Sequence, residues 1–182
     1  MLSLCGKDSV KPQSIVLIYK PHPQYITDLI AEGKEHKKEN IAFLKKAKIK
    51  KGVERLLPDL HDDAFEKVNC LDCGNCCRSI SPRFKTPDIK RISKFLGIKE
   101  SDLIHEYLRL DNDGDYVVKT TPCPFLNFDN SCEIYDARPG DCANYPYTDS
   151  GDFFKYPNTT AENTLICPAV NVVIEKLRSI KL

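Results

Sequence analysis

The sequence predicts a mainly α-helical protein with one small β-hairpin and long irregular loops tied together by cysteines. Three observations predict it. Apolar residues recur at helical spacing in several short segments bounded by Pro and Gly. One Asp/Asn/Gly-rich bend, Asp111–Asp115, precedes the β-branched run Tyr116-Val117-Val118. Eight of the nine cysteines lie between Cys70 and Cys167, much of that stretch having weak local propensity of its own. Residues 1–60 read as a helical N-terminal extension, and residues 61–182 as a cysteine-cluster domain forming one compact unit.

In chain order, Ser14–Tyr19 is a brief strand or extended arm ended by Lys20-Pro21-His22-Pro23. Gln24–Glu32 is helical, with Gly33 as its stop. Lys34–Lys51 carries eight lysines against Glu35 and Glu39, with Ile41, Ala42, Phe43, Leu44, Ala47 and Ile49 as one buried side. A basic face of this kind could meet a protein or RNA partner, but a solvated helix explains it better, since no aromatic residues interleave for base stacking. Pro58 interrupts, and Asp59–Val68 resumes as a short helix capped by Asp59.

Past the cysteine cluster, Ser79–Lys85 is irregular. Thr86-Pro87-Asp88 starts a helix that ends at Leu96-Gly97, burying Ile89, Ile92, Phe95 and Leu96. Ser101-Asp102 caps another through Leu110, with Leu103, Ile104, Tyr107 and Leu108 inward. The acidic bend that follows has its glycine fourth, not sixth, and lacks the closing bidentate acid, so calcium is rejected. Glu133–Ala137 is at most a turn or two of helix, and Tyr145–Asn163 reads as loop. Cys167-Pro168 opens a terminal helix whose stripe is Val170, Val173, Ile174, Leu177 and Ile180.

Composition excludes several functions. Twenty-seven basic residues against 26 acidic leave a net charge of +1, which gives no DNA signal and no general pull toward a membrane. No apolar run approaches the roughly 18 residues of a membrane span. Met1–Gly6 lacks the basic and apolar regions of a signal peptide, so a cytoplasmic location is expected. There, cysteine clusters bind metal more often than they form disulfides, and nine is an odd number for a closed disulfide set. Cys5 is isolated and reads as a free thiol.

Cys70-x2-Cys73-x2-Cys76-Cys77 is the densest chemistry in the chain. Two-residue spacers aim successive sulfurs at one point, as in zinc knuckles and iron–sulfur loops. Thiolates are soft anions that repel one another unless a cation shares them. Zinc or iron, including an iron–sulfur cluster, is the expected cofactor. Spacing discriminates weakly between them. Adjacent side chains in extended or turn structure diverge, so Cys76 and Cys77 would serve two neighbouring metals, or only one would ligate. Two four-sulfur sites and one cluster with spare cysteines both satisfy the count. Four thiolates on a divalent ion leave excess negative charge, for which Arg78 and Arg138 are the candidate offsetting cations.

These residues carry a resemblance. Cys70-x2-Cys73-x2-Cys76-Cys77, then Cys123-Pro124-Phe125-Leu126, Cys132-x-Ile134-Tyr135-x2-Arg138-Pro139-x2-Cys142-x3-Pro146, and Cys167-Pro168 resemble the CxxCxxCC (YkgJ-type) cysteine-cluster family of zinc- or iron-chelating domains. The resemblance spans about residues 70–170. It implies that Cys70, Cys73, Cys76, Cys77, Cys123, Cys132, Cys142 and Cys167 are the metal ligands. Ala143 departs from it, for the family usually carries an arginine there.

Closed four-thiolate sites are structural, which favours a metal-binding module. The alternative is an iron–sulfur-dependent redox or modifying enzyme acting on a macromolecular substrate. A related cluster accompanies a flagellin lysine methylase. None of His22, His36, His61 and His105 lies in a metal or catalytic motif, and no phosphate-binding or dinucleotide loop occurs.

Overall fold

The computed structural model describes residues 21–180. Cys5 and the expected arm at Ser14–Tyr19 lie outside them. Within this range the chain is mainly α, with one small antiparallel sheet, as the sequence predicts. No helix among the described residues is long and apolar enough to cross a membrane.

The apolar side chains form two separate clusters. The first is all-helical. It comprises α1 (Gln24–Glu35), α2 (Lys37–Ala47), a 3-10 turn at Val53–Leu56, α3 (Leu57–Lys67) and the terminal α11 (Pro168–Ser179), with Phe153, Phe154 and Ala161 closing its side. Helix α11 is its axis. Val170, Val173, Ile174 and Leu177 recur at three- and four-residue steps, and all are fully buried against α3 and α1. Leu57, Leu60 and Ala64 of α3 and Ile26 of α1 face them. Each fully buried aliphatic side chain contributes about 1.5–3 kcal/mol.

Gly33 does not stop the first helix. It lies buried inside α1 where α11 crosses, and a Cβ there would stand 2.7 Å from the Thr164 carbonyl oxygen and 2.8 Å from Asn171 Oδ1. A mid-helix glycine costs about 1 kcal/mol relative to alanine. Here it permits a close crossing, sealed by the Asn171 side-chain amide donating to the carbonyls of Leu29 and Thr164. The break falls three residues later, at His36.

The second cluster surrounds the sheet. Helices α6 (Thr86–Leu96) and α7 (Glu100–Tyr107) supply Ile89, Ile92 and Leu103. Phe84, Leu108 and Val118 come from strands β1 (Arg83–Phe84), β2 (Leu108–Leu110) and β3 (Tyr116–Val118), ordered β1-β3-β2. Phe125, Ile134 and Ala137 complete it. The Asp111 carboxylate accepts from the Asp113 and Asp115 amides, so the acidic bend spends its oxygen on its own hairpin turn.

Several local expectations are corrected. Leu108–Leu110 continues not as helix but as strand, because it pairs with β3, Leu108 opposite Val118 and Leu110 opposite Tyr116. Arg83–Phe84, expected to be irregular, pairs with β3's other edge. Pro58 sits in the first turn of α3 and starts that helix, where its missing N–H costs nothing. Asp59 then lies in the first turn without capping it. Asp88 closes the start of α6 by accepting from the Lys85 amide. The expected loop after Tyr145 contains α9 (Asp152–Lys155) and α10 (Pro157–Asn163), held by Phe153, Phe154 and Ala161 in the first cluster. Ile49, Phe95 and Ile180 are exposed and leave their predicted stripes.

Gly33→Ala should therefore destabilise the protein by about 1–3 kcal/mol in urea unfolding, since the clash includes backbone. Gly151→Ala, where a Cβ meets nothing within 4 Å and φ is −58°, should be neutral or slightly stabilising. Equal effects at the two positions would refute this account of the α1–α11 crossing.

Candidate metal centre

The cysteines lie between the two apolar clusters. Cys73 and Cys167 pack on the helical one, Cys123 and Cys132 on the sheet-bearing one. Two very short helices, α4 (Cys70–Cys73) and α5 (Asn75–Ser79), carry the dense run. Asn69 caps the first by accepting from the Leu71 amide at 3.0 Å. Gly74 joins them at φ +57°, a left-handed conformation that glycine adopts without strain. This turn reverses the chain so that Cys76 comes back beside Cys70 and Cys73.

The remaining ligand candidates arrive on separate segments. Cys123 and Cys132 flank a loop closed by the Leu126–Cys132 bridge and by Glu133 N–H donating to Phe125 O at 2.9 Å. Cys142 lies in α8 (Gly140–Asn144), and Cys167 immediately precedes α11. The backbone joins these segments before any metal is considered. Cys123 N–H donates to Cys77 O at 2.7 Å, and Asn75 Nδ2 donates to Ile166 O at 2.8 Å.

Cys76 is the hub. Its sulfur is 3.9 Å from that of Cys77. A charge on it raises the pKa of Cys70, Cys73, Cys123, Cys132, Cys142 and Cys167. All eight sequence-named cysteines are thus brought to one region, and none is in a disulfide. The vicinal pair is helical, not extended. A helix turns about 100° per residue, so adjacent side chains diverge less than in a strand and the two sulfurs remain neighbours.

Metal-free, these thiols resist ionisation. Burial, then neighbouring sulfurs, push Cys73 and Cys123 up to about 11 and Cys142 to about 12. Cys70 and Cys132 also rise, chiefly through burial. Cys76 rises through its hydrogen bond to Cys77 and then burial, and Cys167 through burial. Cys70 is the solvent-exposed member at the rim.

Opposing this, four sulfurs each face a backbone N–H two residues ahead: Cys73 that of Asn75, Cys123 of Phe125, Cys132 of Ile134, and Cys167 of Ala169. These donors favour thiolate, as metal-sulfur loops require. The two arginines act in the same sense, Arg78 on Cys73 and Arg138 on Cys70 and Cys132. Arg138 is held by stacking its guanidinium 3.9 Å above the Tyr135 ring and donating to Tyr135 O. Ala143, in α8, is exposed. Among the described residues, no three His, Cys, Asp or Glu side chains already stand arranged to hold an ion. The sulfurs are gathered but not closed. Eight free thiols with N–H and guanidinium support are nonetheless a donor set suited to a soft cation.

Sequence reasoning missed several supports. Asn130, buried at φ +69°, accepts from Arg78 Nη2 and donates to Leu71 O at 3.0 Å, binding the hairpin to the dense run. Its only sequence signal was the Asp129-Asn130 turn. His22 Nε2 lies 2.8 Å from Cys73 O. A carbonyl only accepts, so Nε2 carries the proton, and Arg78 Nη1, 3.3 Å away, is a neighbouring cation and not its donor. Tyr145 is half-buried beside Cys167, Cys76 and Cys73. Burial pushes the Asp88 carboxyl up, but Arg91 and the Lys85 and Gly140 amides outweigh it and hold it below its usual range. Asp88 thereby anchors the start of α8.

Together, helices in two clusters and eight convergent thiols define a cysteine-rich domain of the metal-chelating class. A family model, CxxCxxCC, described as "Putative zinc- or iron-chelating domain", matches residues 69–168, more than half of the chain. The chain belongs to the CxxCxxCC family. No curated protein matches it. No solved structure matches it either.

Asn130→Ala removes a buried acceptor for a guanidinium and a donor to backbone, and should cost about 2–4 kcal/mol in urea unfolding. Asn130→Gly, which keeps the left-handed turn open, should be equally costly. Recovery by glycine would mean that backbone strain, not the side-chain bonds, sets the effect.

Proposed function

We propose that the protein is a cytoplasmic metal-binding module that holds zinc or iron through its eight clustered cysteines, the ion joining two halves of the fold. Membership of a zinc- or iron-chelating family supports metal binding. The single observation that carries the reading is the gathering of eight unoxidised thiols around Cys76, four of them facing backbone N–H groups. Buried sulfurs that repel one another are unfavourable as bare thiolates, and a soft cation converts that repulsion into attraction. A free-thiol cluster is suited to a reducing compartment.

The residues divide the work. The cysteines supply sulfur, Arg78 and Arg138 offset the surplus negative charge, and Asn130 and Asp88 position the segments that bring the sulfurs in. Two surface clefts, of about 520 and 660 Å³, are lined by other residues, around Lys48–Asp152 and around His105–Lys119.

Metal analysis of protein purified under reducing conditions should find zinc or iron bound, and removal by a strong chelator should lower stability by several kcal/mol. Full stability after complete removal would refute the reading.

The pH dependence of the two forms should differ. In the metal-free protein the thiol pKa values are raised above the ordinary 9.0, so folding favours the protonated groups. That contribution is fully present below about pH 9 and is lost as pH rises from about 9 through about 12. The loaded protein should lack this alkaline loss and weaken in acid, where protons compete for sulfur. Urea midpoints across pH for both forms check this. A chelated protein that gains stability in alkali would contradict it.

A further inference from the structure

The matched family region begins at residue 69, yet part of the grip on the dense cysteine run comes from far upstream. His22 stands between Pro21 and Pro23, directly ahead of α1. A residue before proline is confined to extended backbone and proline's own φ is fixed, so this short approach loses little freedom on folding. Ile26, in the first turn of α1, is fully buried in the helical cluster and anchors it. The imidazole is thereby carried to the dense run, where Nε2 donates to Cys73 O at 2.8 Å. Beside it, Tyr25 OH donates to Asp72 Oδ2 at 3.3 Å.

The peptide group that His22 holds is well placed to direct the sulfurs. It joins Cys73 to Gly74, the left-handed link at φ +57° that turns the chain back toward Cys76. Its N–H end donates to Cys70 O at 2.9 Å, and its C=O end accepts from His22. A peptide plane held at both ends resists rotation about its flanking bonds, so the directions of Cys70, Cys73 and Cys76 are set together.

Helix α1 also reaches the segment that delivers Cys167. Gly33 O accepts from Thr164 Oγ1 at 3.3 Å, and the Asn171 amide donates to Leu29 O. Asn75 Nδ2 closes the third side by donating to Ile166 O at 2.8 Å. One helix therefore ties together two cysteine-bearing segments that are far apart in the chain.

We propose that the N-terminal extension is a working part of the metal centre. Helix α1 is a strut that sets Cys73 against Cys167, and His22, with Tyr25 beside it, is a positioning residue that tunes metal affinity through the Cys73–Gly74 peptide. This rests on the metal-binding reading above and adds residues that act through a ligand's backbone. Groups that orient a ligand in this way typically change metal affinity about 10–100-fold.

The test is titration of the reduced full chain with zinc(II) and with iron(II), in competition with a chromogenic chelator, alongside visible spectra of the cobalt(II)-loaded protein. His22→Ala should bind about 10–100-fold more weakly with the ion count unchanged, and its cobalt bands should shift. His22→Gln, whose amide can donate from nearly the same place, should recover both. Tyr25→Phe, at an exposed site that tolerates the change, should lose a few-fold. Ile92→Val, a core change in the sheet-bearing cluster, should lower the urea midpoint and leave affinity and bands alone. Wild-type affinity and bands in His22→Ala would overturn the proposal. So would a His22→Gln as weak as His22→Ala, or an Ile92→Val that weakens binding as much. Where His22→Ala does not fold, Tyr25→Phe decides, and wild-type affinity there would overturn the proposal. Each of these results leaves metal binding itself intact, whereas a wild-type chain that takes up no metal would overturn both.

Discussion

The structure depends on the confinement of eight sulfurs in a partly dry space, where each would repel the others once ionised. Six other thiols feel Cys76, and burial alone already disfavours their ionisation. Much of the molecule around them answers this constraint. Backbone N–H groups two residues ahead of four cysteines, the two arginines and the Asn130 bridge all lower the cost of assembling thiolate, and each is in place before any ion is bound. An ion arriving at such a site would find its ligands gathered and lose little of its binding energy to ordering them.

The apolar residues divide along the same region. Neither the helical cluster around α11 nor the smaller one around the sheet extends across the cysteine region. Hydrogen bonds such as Cys123 N–H to Cys77 O and Asn75 Nδ2 to Ile166 O connect the parts, but individually these contribute only about 1 kcal/mol. Metal–sulfur bonds would add connection where hydrophobic burial is thin.

Much of this was legible in the sequence because it is local. Thr86-Pro87 and Gly97 bracket α6 as their backbone preferences require, the Asp111–Asp115 bend makes its hairpin, and Val170, Val173, Ile174 and Leu177 line one face of α11. The dense run from Cys70 to Cys77 stands out by type and spacing, whereas the set of eight cysteines as ligands is what the family resemblance implies. What was not legible depends on distant partners. Leu108–Leu110 is a strand only because β3 is there to receive it, Gly33 is tolerated mid-helix because Asn171 and Thr164 press against it, and His22 reaches Cys73 across 51 positions. The grouping of the cysteines likewise follows from where the chain returns, which no spacing encodes.

X-ray absorption at the metal edge tests the central claim most directly, because it reads the atoms around the ion without assuming how many ions there are. The account predicts a first shell of about four sulfurs at about 2.3 Å and no lighter donor. A shell of nitrogen or oxygen, or an edge absent from protein whose cysteines prove to be paired as disulfides, would contradict it.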